Sequence, residues 1–386
     1  METLINCLCG RIATLRGAVT SICTYTPRFL RSVRLALHPA QAINQGFHMR
    51  VRIFFAGVSA AVLFLFLAGC SKPVQSRFGF VLATICTVDL YDNGTHQVYR
   101  DVFARFSEIE NRMSVFIEGS DVDRVNKAAG IEAVEVHPDV FKVIERAVWF
   151  AELSGGAFDP TVEPLVALWG IGGENPGVPV QEEIDRVLPL INWRDIELDP
   201  KNKTVFLKRP GMALDLGAIA KGYAADEAVA IIKKAGISRA MISIGGNVLT
   251  VGEKKDGSLW NTGIQNPLDT RGAYIGIVRS KEKTVVTAGV YERFFEADGK
   301  RYHHIFSPSL GYPADNGLLS VSIIADISMD ADALSTAVLV LGHEKGIALV
   351  ESLEGVEAIF VFNDRSVYLT GGVDFILVDD SYRVIN

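Results

Sequence analysis

Apolar and polar residues alternate through residues 78–91, the period of a strand with one buried face. Asn93-Gly94 is a hairpin-turn signal and predicts a second strand over 96–99. The spacing then changes to three and four. Val102, Phe106, Ile109 and Met113 mark one face of a helix over 101–113. Another helix is predicted over 140–153, stopped by Ser154-Gly155-Gly156. A polar, Gly/Pro-rich stretch fills 170–180, followed by a helix near 182–188 and a hairpin over 195–208. The second half repeats this alternation. A helix over 217–235 leads to a strand over 240–244 and a turn at Gly245-Gly246-Asn247. Strands follow over 273–279, 285–287 and 319–325, then a helix from Asp330 to about residue 342 and a strand over 356–362.

Strands and helices interleave, yet several connections read as hairpins. The expected fold class is α+β, with mixed or antiparallel sheets and packed helices, rather than a doubly wound parallel sheet. No repeat of solenoid period is visible. With 49% hydrophobic and 22% charged residues the chain of 386 residues is no disordered protein. Its formal charge of −7, without basic clusters, leaves no patch that could neutralise a nucleic-acid backbone.

The amino-terminal region changes the picture most. Arg50 and Arg52 precede an apolar run over 53–67, which closes in Leu67-Ala68-Gly69-Cys70: a charged segment, an apolar segment and a small-residue cleavage site. The run is short for a spanning helix, which needs about 20 residues. Leu-Ala-Gly-Cys resembles the bacterial lipobox, which implies cleavage before Cys70 and lipidation of its thiol; the alternative is an uncleaved anchor. Either places the body outside the inner membrane, and the lipobox makes it a periplasmic lipoprotein held at that membrane's outer face. A signal peptide starting at Met49 is complete in itself. Residues 1–48 are therefore expected to be an upstream extension, 49–69 the signal peptide, 70–77 a lipidated linker and 78–386 the folded domain. Cys7, Cys9 and Cys23 lie in the extension, so Cys86 has no partner for a disulfide within the body and reads as a packed strand residue.

Four segments carry candidate chemistry. In Ser328-Met329-Asp330-Ala331-Asp332-Ala333-Leu334-Ser335-Thr336, Asp332 and Thr336 stack one turn apart on a helix, two hard oxygens of the kind Mg²⁺ takes when phosphates and waters complete its shell. The plainer alternative is that Asp330 and Asp332 complement a helix dipole. In Leu214-Asp215-Leu216-Gly217-Ala218-Ile219-Ala220-Lys221-Gly222-Tyr223, small residues at a helix start would let an anion reach the backbone, with Lys221 one turn on; the alternative is tight helix–sheet packing. Gly155-Gly156-Ala157-Phe158-Asp159-Pro160 is a Gly-rich loop with an acid before proline, or a plain turn. His303 and His304 are neighbours on a predicted strand and point to opposite faces, so one of them could be a general base while neither shares a metal with the other. No G-x-S-x-G, H-E-x-x-H, C-x-x-C or G-x-G-x-x-G pattern occurs in the body.

In order, these segments resemble the FAD:protein FMN transferase (ApbE-type) family from about residue 78 to 351. The matching phrases also include Met113-Ser114-Val115-Phe116, Asn126, Gly245-Gly246-Asn247, Trp260, Gly263-Ile264, Tyr291-Glu292-Arg293-Phe294, Pro308 and Gly311. The resemblance implies a two-domain, T-fold-like α+β architecture. It implies Mg²⁺ held by the Ala218 carbonyl, Asp332 and Thr336, and FAD contacted by Phe116, Ala157, Phe158, Asp159, Asp215, Lys221 and Ile305. It also makes His304 the group that activates an acceptor threonine. The catalytic set would then be His304, Lys221 and Asp332. An acceptor hydroxyl or water would attack the FMN-side phosphorus of FAD and release AMP. The acceptors would be extracytoplasmic redox proteins.

The chain departs from the family at three places. Met-Gly-Thr reads Leu82-Ala83-Thr84, Thr-Ser-Gly reads Thr287-Ala288-Gly289, and His-Ile-Ile-Asp-Pro reads His304-Ile305-Phe306-Ser307-Pro308, which loses the acid immediately before Pro308. Losing an acid near His304 is expected to tilt the reaction towards water, that is, towards FAD pyrophosphatase activity. Two other readings compete: a lipoprotein that stores FAD without cleaving it, and a solute-binding lipoprotein for another ligand. A storage protein needs no metal at the diphosphate, so the Ala218/Asp332/Thr336 set speaks for the enzyme.

Overall fold

In the computed structural model residues 75–385 are described. Cys70, the apolar run before it and the extension lie outside them. No helix among the described residues is long and apolar enough to cross a membrane.

The first segment departs from expectation. The single strand expected over 78–91 is two strands, β1 (Gln75–Val81) and β2 (Thr84–Leu90), joined by a two-residue turn. Leu82 and Ala83 both sit at positive φ, 57° and 54°, the twist that suits a tight hairpin but not an L side chain. Ala83→Gly should therefore stabilise the protein by about 1 kcal/mol. A shift of the urea midpoint to higher concentration would show it, and an unchanged or lower midpoint would contradict it.

The expected strand over 96–99 is also corrected: it is the first turn of α1 (His96–Met113). The Thr95 hydroxyl accepts the Val98 N–H and caps the helix, and Val98 and Tyr99 join the buried stripe of Val102, Phe106, Ile109 and Met113. Gly94 turns the chain where a Cβ would sit 2.8 Å from that of Leu90.

There follow α2 (Asp121–Lys127), β3 (Val134–Glu135), α3 (Pro138–Leu153), α4 (Glu163–Trp169), α5 (Gln181–Val187), β4 (Ile196–Asp199) and β5 (Thr204–Leu207). Next are α6 (Ala220–Lys234), β6 (Ala240–Ile244), β7 (Asn247–Val251), β8 (Trp260–Gln265), β9 (Tyr274–Ser280), β10 (Thr284–Gly289), β11 (Phe294–Ala297) and β12 (Lys300–His303). The chain ends with β13 (Leu318–Ala325), α7 (Ser328–Leu341), α8 (His343–Glu351), β14 (Glu357–Phe362), β15 (Ser366–Leu369), β16 (Phe375–Leu377) and β17 (Arg383–Ile385).

The main sheet has the order β1-β2-β6-β7-β10-β13-β14-β15-β17, antiparallel except for the β15–β17 pair. Its inner face, with Val88, Ile242 and Val321, packs on α1, α3, α6 and α7 in the largest core. Its outer face at β10, β13, β14 and β15 is covered by the small sheet β16-β9-β8 through Ile264, Ile275, Val278, Val285 and Ile324. A third cluster, around Trp169 and Phe306, holds α4 and α5 to the segment after β12, and the Trp169 indole donates to the Gly311 carbonyl at 3.0 Å. The fold class is thus α+β with antiparallel sheets.

Half-buried ion pairs tie the helices to each other. Arg105 of α1 reaches Asp139 of α3 at 2.7 Å and Glu227 of α6 at 2.9 Å. Arg146 of α3 grips Asp330 of α7 through two bonds of 2.8 Å. Cys86 is buried and free, its thiol pushed up to about 12 by burial, as expected of a packed strand residue.

Candidate active site

Two helix starts meet at one point. At Gly222, in the first turn of α6, a Cβ would lie 2.2 Å from the Ser328 carbonyl oxygen at the start of α7, so only glycine lets the helices come this close. Neither helix has a side-chain cap of its own. Each borrows one from the other. Asp332 of α7 accepts the Gly222 N–H at 2.9 Å, and Asp226 of α6 accepts the N–H groups of Ser328 and Met329, each at 2.9 Å. Burial raises the Asp226 carboxyl to about 6 against the help of those two bonds.

This crossing assembles most of the expected site. Asp332 is only 4% exposed. One of its oxygens is used as the cap; the other faces the Lys221 ammonium at 3.5 Å, and the same ammonium donates to the Gly217 carbonyl. Gly217 is folded back by its own N–H, which donates to Asp215 at 2.7 Å, and this turn delays the start of α6 from 217 to Ala220. Asp330, in contrast, is taken up by Arg146.

The Asp215 segment is clasped from two sides. Asn126 exchanges two hydrogen bonds with the backbone of Leu214, at 2.7 and 3.0 Å, and the Asp215 N–H donates to the Pro160 carbonyl at 2.9 Å. The second contact joins the Gly155–Pro160 loop to the site. Within that loop Ala157 is half-buried, but Phe158 and Asp159 point inward. Asp159 spends one oxygen on the N–H and hydroxyl of Thr161 and the other on the Trp193 N–H at 3.1 Å. The loop therefore presents backbone rather than these two side chains. Ile305 is likewise buried in the main core. Phe116 is the opposite case, with its ring 85% exposed; no hydrogen bond or ring contact joins it to the cluster among the described residues.

The histidine pair divides its roles, although β12 ends at His303 and His304 lies just past it rather than on the strand as expected. His303 is buried, takes the Ile305 N–H on Nδ1 and donates from Nε2 to the Ala314 carbonyl at 2.8 Å. It is structural. His304 places Nδ1 3.2 Å from the Arg293 carbonyl, which also accepts the His304 backbone N–H at 3.1 Å. A bond to a carbonyl requires the proton on Nδ1, leaving the Nε2 lone pair free. Burial, then the positive charge of Arg293, lowers His304 to about 4, with Lys221 adding to the effect. It is therefore a neutral base at pH 7. Ser307, where the family has an acid, faces Ser309 at 3.2 Å. The Arg293 carbonyl orients the imidazole instead.

Among the described residues no three His, Cys, Asp or Glu side chains cluster around a metal position. Mg²⁺ does not need them, because it is commonly held by one or two carboxylates while phosphates and waters fill the shell. The donors here suit it. A buried carboxylate oxygen and a backbone carbonyl already share one cation, the Lys221 ammonium, and the Thr336 hydroxyl one turn beyond Asp332 has no hydrogen-bond partner among the described residues.

Asp226, the Arg293 carbonyl and Glu163 were not legible in the sequence. Glu163 is raised to about 8 by burial and by the charge of Asp215, with one oxygen buried and unpartnered. Asn247, in a phrase matched to the family but given no role, also keeps its amide nitrogen buried and unpartnered. An acid at the entrance of an apolar helix was the only signal for Glu163; nothing in the residue types marks a backbone carbonyl.

A buried acid–lysine pair beside a neutral histidine, at the meeting of two helix starts, is the equipment of an enzyme rather than of a passive scaffold. The chain belongs to the ApbE family, whose model matches residues 82–360. It is 38% identical over 328 residues to the FAD:protein FMN transferase of Treponema pallidum (strain Nichols), covering 80% of this chain and 91% of that one. It is 39% identical over 287 residues to an FAD:protein FMN transferase of Klebsiella pneumoniae (strain 342), covering 74% and 89%. Among solved structures it is similar to the ApbE protein of Thermotoga maritima (TM-score 0.70, 33% identity, 79% of this chain and 97% of that one). The flavin transferase ApbE from Vibrio cholerae gives a TM-score of 0.68 at 26% identity, covering 80% and 99%.

Proposed function

We propose that this chain is an FAD:protein FMN transferase that moves FMN from FAD to a threonine hydroxyl of an extracytoplasmic acceptor protein and releases AMP, with water as a competing acceptor. The observation that carries this reading is the neutral His304, oriented by a backbone carbonyl and set in the field of Lys221, which pairs with Asp332. A protein that only stores FAD has no use for such a base.

His304 Nε2 takes the proton of the attacking hydroxyl as its oxygen bonds to the FMN-side phosphorus; the bond from that phosphorus to the bridging oxygen breaks, and AMP leaves with the bridging oxygen. Lys221 supplies a fixed positive charge to the diphosphate. The Ala218 carbonyl, Asp332 and Thr336 would hold Mg²⁺, which supplies charge neutralisation at the diphosphate when bound. Phe116 offers an exposed ring on which the flavin can stack, and the Ala157–Asp159 loop, Asp215 and Ile305 line the ligand chiefly through backbone. Cys70 would carry the lipid that holds the body at the outer face of the inner membrane, a reading supported by Leu67-Ala68-Gly69-Cys70.

The test follows AMP release from FAD and Mg²⁺ with and without a threonine-bearing acceptor. AMP and flavinylated acceptor appearing together support transfer, AMP alone means hydrolysis, and intact FAD in both would refute the enzyme. His304→Ala should slow transfer about 10²–10⁴-fold, and hydrolysis less, because water needs less positioning than a protein hydroxyl. Equal losses in the two reactions would remove His304 from the acceptor side.

A further inference from the structure

The β1–β2 hairpin is the free end of the main sheet, and its two faces differ. One face belongs to the core: Val81, Cys86, Val88 and Leu90 are buried, and Gly79 is backed by the Phe103 ring. The other carries Phe78, Phe80 and Ile85, which are 82%, 77% and 56% exposed. Phe80 and Ile85 are cross-strand partners, and Phe78 lies two residues along the same face opposite Thr87. The three side chains thus form one patch. The small sheet covers the outer face at β10, β13, β14 and β15 and reaches Tyr91 through the Trp260 ring, but Phe78, Phe80 and Ile85 stay exposed. Contiguous apolar surface of this kind marks an interaction site.

We propose that this patch rests on the lipid bilayer, with the rings of Phe78 and Phe80 lodged among the headgroups and upper acyl chains. The occupant follows from where the chain leads. Cys70 is five residues before Gln75 and eight before Phe78. A fully extended chain spans at most about 3.6 Å per residue, so a lipid on Cys70 keeps Phe78 within about 30 Å of its attachment point. At that distance contact with the membrane is intramolecular and is favoured over capture of a partner from solution. Aromatic rings favour the boundary between headgroups and acyl chains. The surface is bounded by acids at the end away from the hairpin turn, Asp89 opposite Ser76 and then Asp92. The inference rests on the lipid anchor proposed above.

The test uses the mature lipidated chain reconstituted in phosphatidylethanolamine/phosphatidylglycerol vesicles, with Thr87→Cys carrying an environment-sensitive fluorophore; Cys86 is buried and does not compete for the label. The label should shift to the blue and be quenched by nitroxide lipids. The pair Phe78→Ser and Phe80→Ser should weaken the quenching about tenfold while leaving FAD cleavage in solution unchanged. Mass spectrometry of Cys70 reports the anchor separately. A lipidated chain whose label stays in water overturns the patch and leaves the anchor standing. If Cys70 carries no lipid, co-sedimentation of the chain with the same vesicles decides: binding lost in the double Phe variant upholds the patch, and no binding overturns it. A concentration-dependent dimer abolished by the double variant would overturn it in favour of a second copy pairing along β1.

Discussion

Asp332→Asn is expected to lower Mg²⁺-dependent AMP release from FAD by about 10³-fold while costing only a few degrees of thermal stability. The carboxylate does two jobs that this substitution separates. Asparagine keeps an oxygen that can accept the Gly222 N–H, so the cap on α6 survives. It removes the negative charge that pairs with Lys221 and that a divalent cation requires. Charge stabilisation at a metal–phosphate centre is worth several kcal/mol, and each 1.36 kcal/mol is a factor of ten in rate. Steady-state kinetics over a Mg²⁺ titration, alongside a melting curve, checks it. Turnover within tenfold of the parent at saturating Mg²⁺ would take Asp332 out of the site.

Gly222→Ala should force the starts of α6 and α7 apart. Its Cβ would lie 2.2 Å from the Ser328 oxygen, 2.6 Å from the carbonyl carbon and 2.7 Å from the Met329 Cα. All three are backbone atoms that cannot swing aside, so α6 and α7 must separate. Separation would break both borrowed caps, the bonds to Asp332 and to Asp226. Overpacking alone costs about 1–3 kcal/mol and each lost cap about 1 kcal/mol, which together predict a loss above 3 kcal/mol. Urea unfolding measures this directly. A loss under 1 kcal/mol would mean that the helices do not meet as closely as described.

What could be read from residue order was the part governed by periodic burial. Val102, Phe106, Ile109 and Met113 gave α1 its face, and Val140 onward gave α3, because a helix must bury a stripe whatever lies opposite. The failures are local contests. Leu82-Ala83 is a hairpin turn built from two apolar residues, so nothing interrupted the alternation that read as one strand. Asn93-Gly94 does turn the chain, but the Thr95 hydroxyl then caps a helix where a strand was expected. In the site, Asp332, Lys221 and His304 could be named from their neighbours. The roles of Asp226 and Arg293 could not, because each acts on a backbone group brought close only by the tertiary fold.

The grip on His304 has a consequence for how this family can vary. The group that holds the imidazole at 3.2 Å is a main-chain oxygen, present whichever amino acid occupies position 293. Exchanging Arg293 alters the charge around the ring yet keeps the strut that aims it. A substitution survey would pass over this support unnoticed.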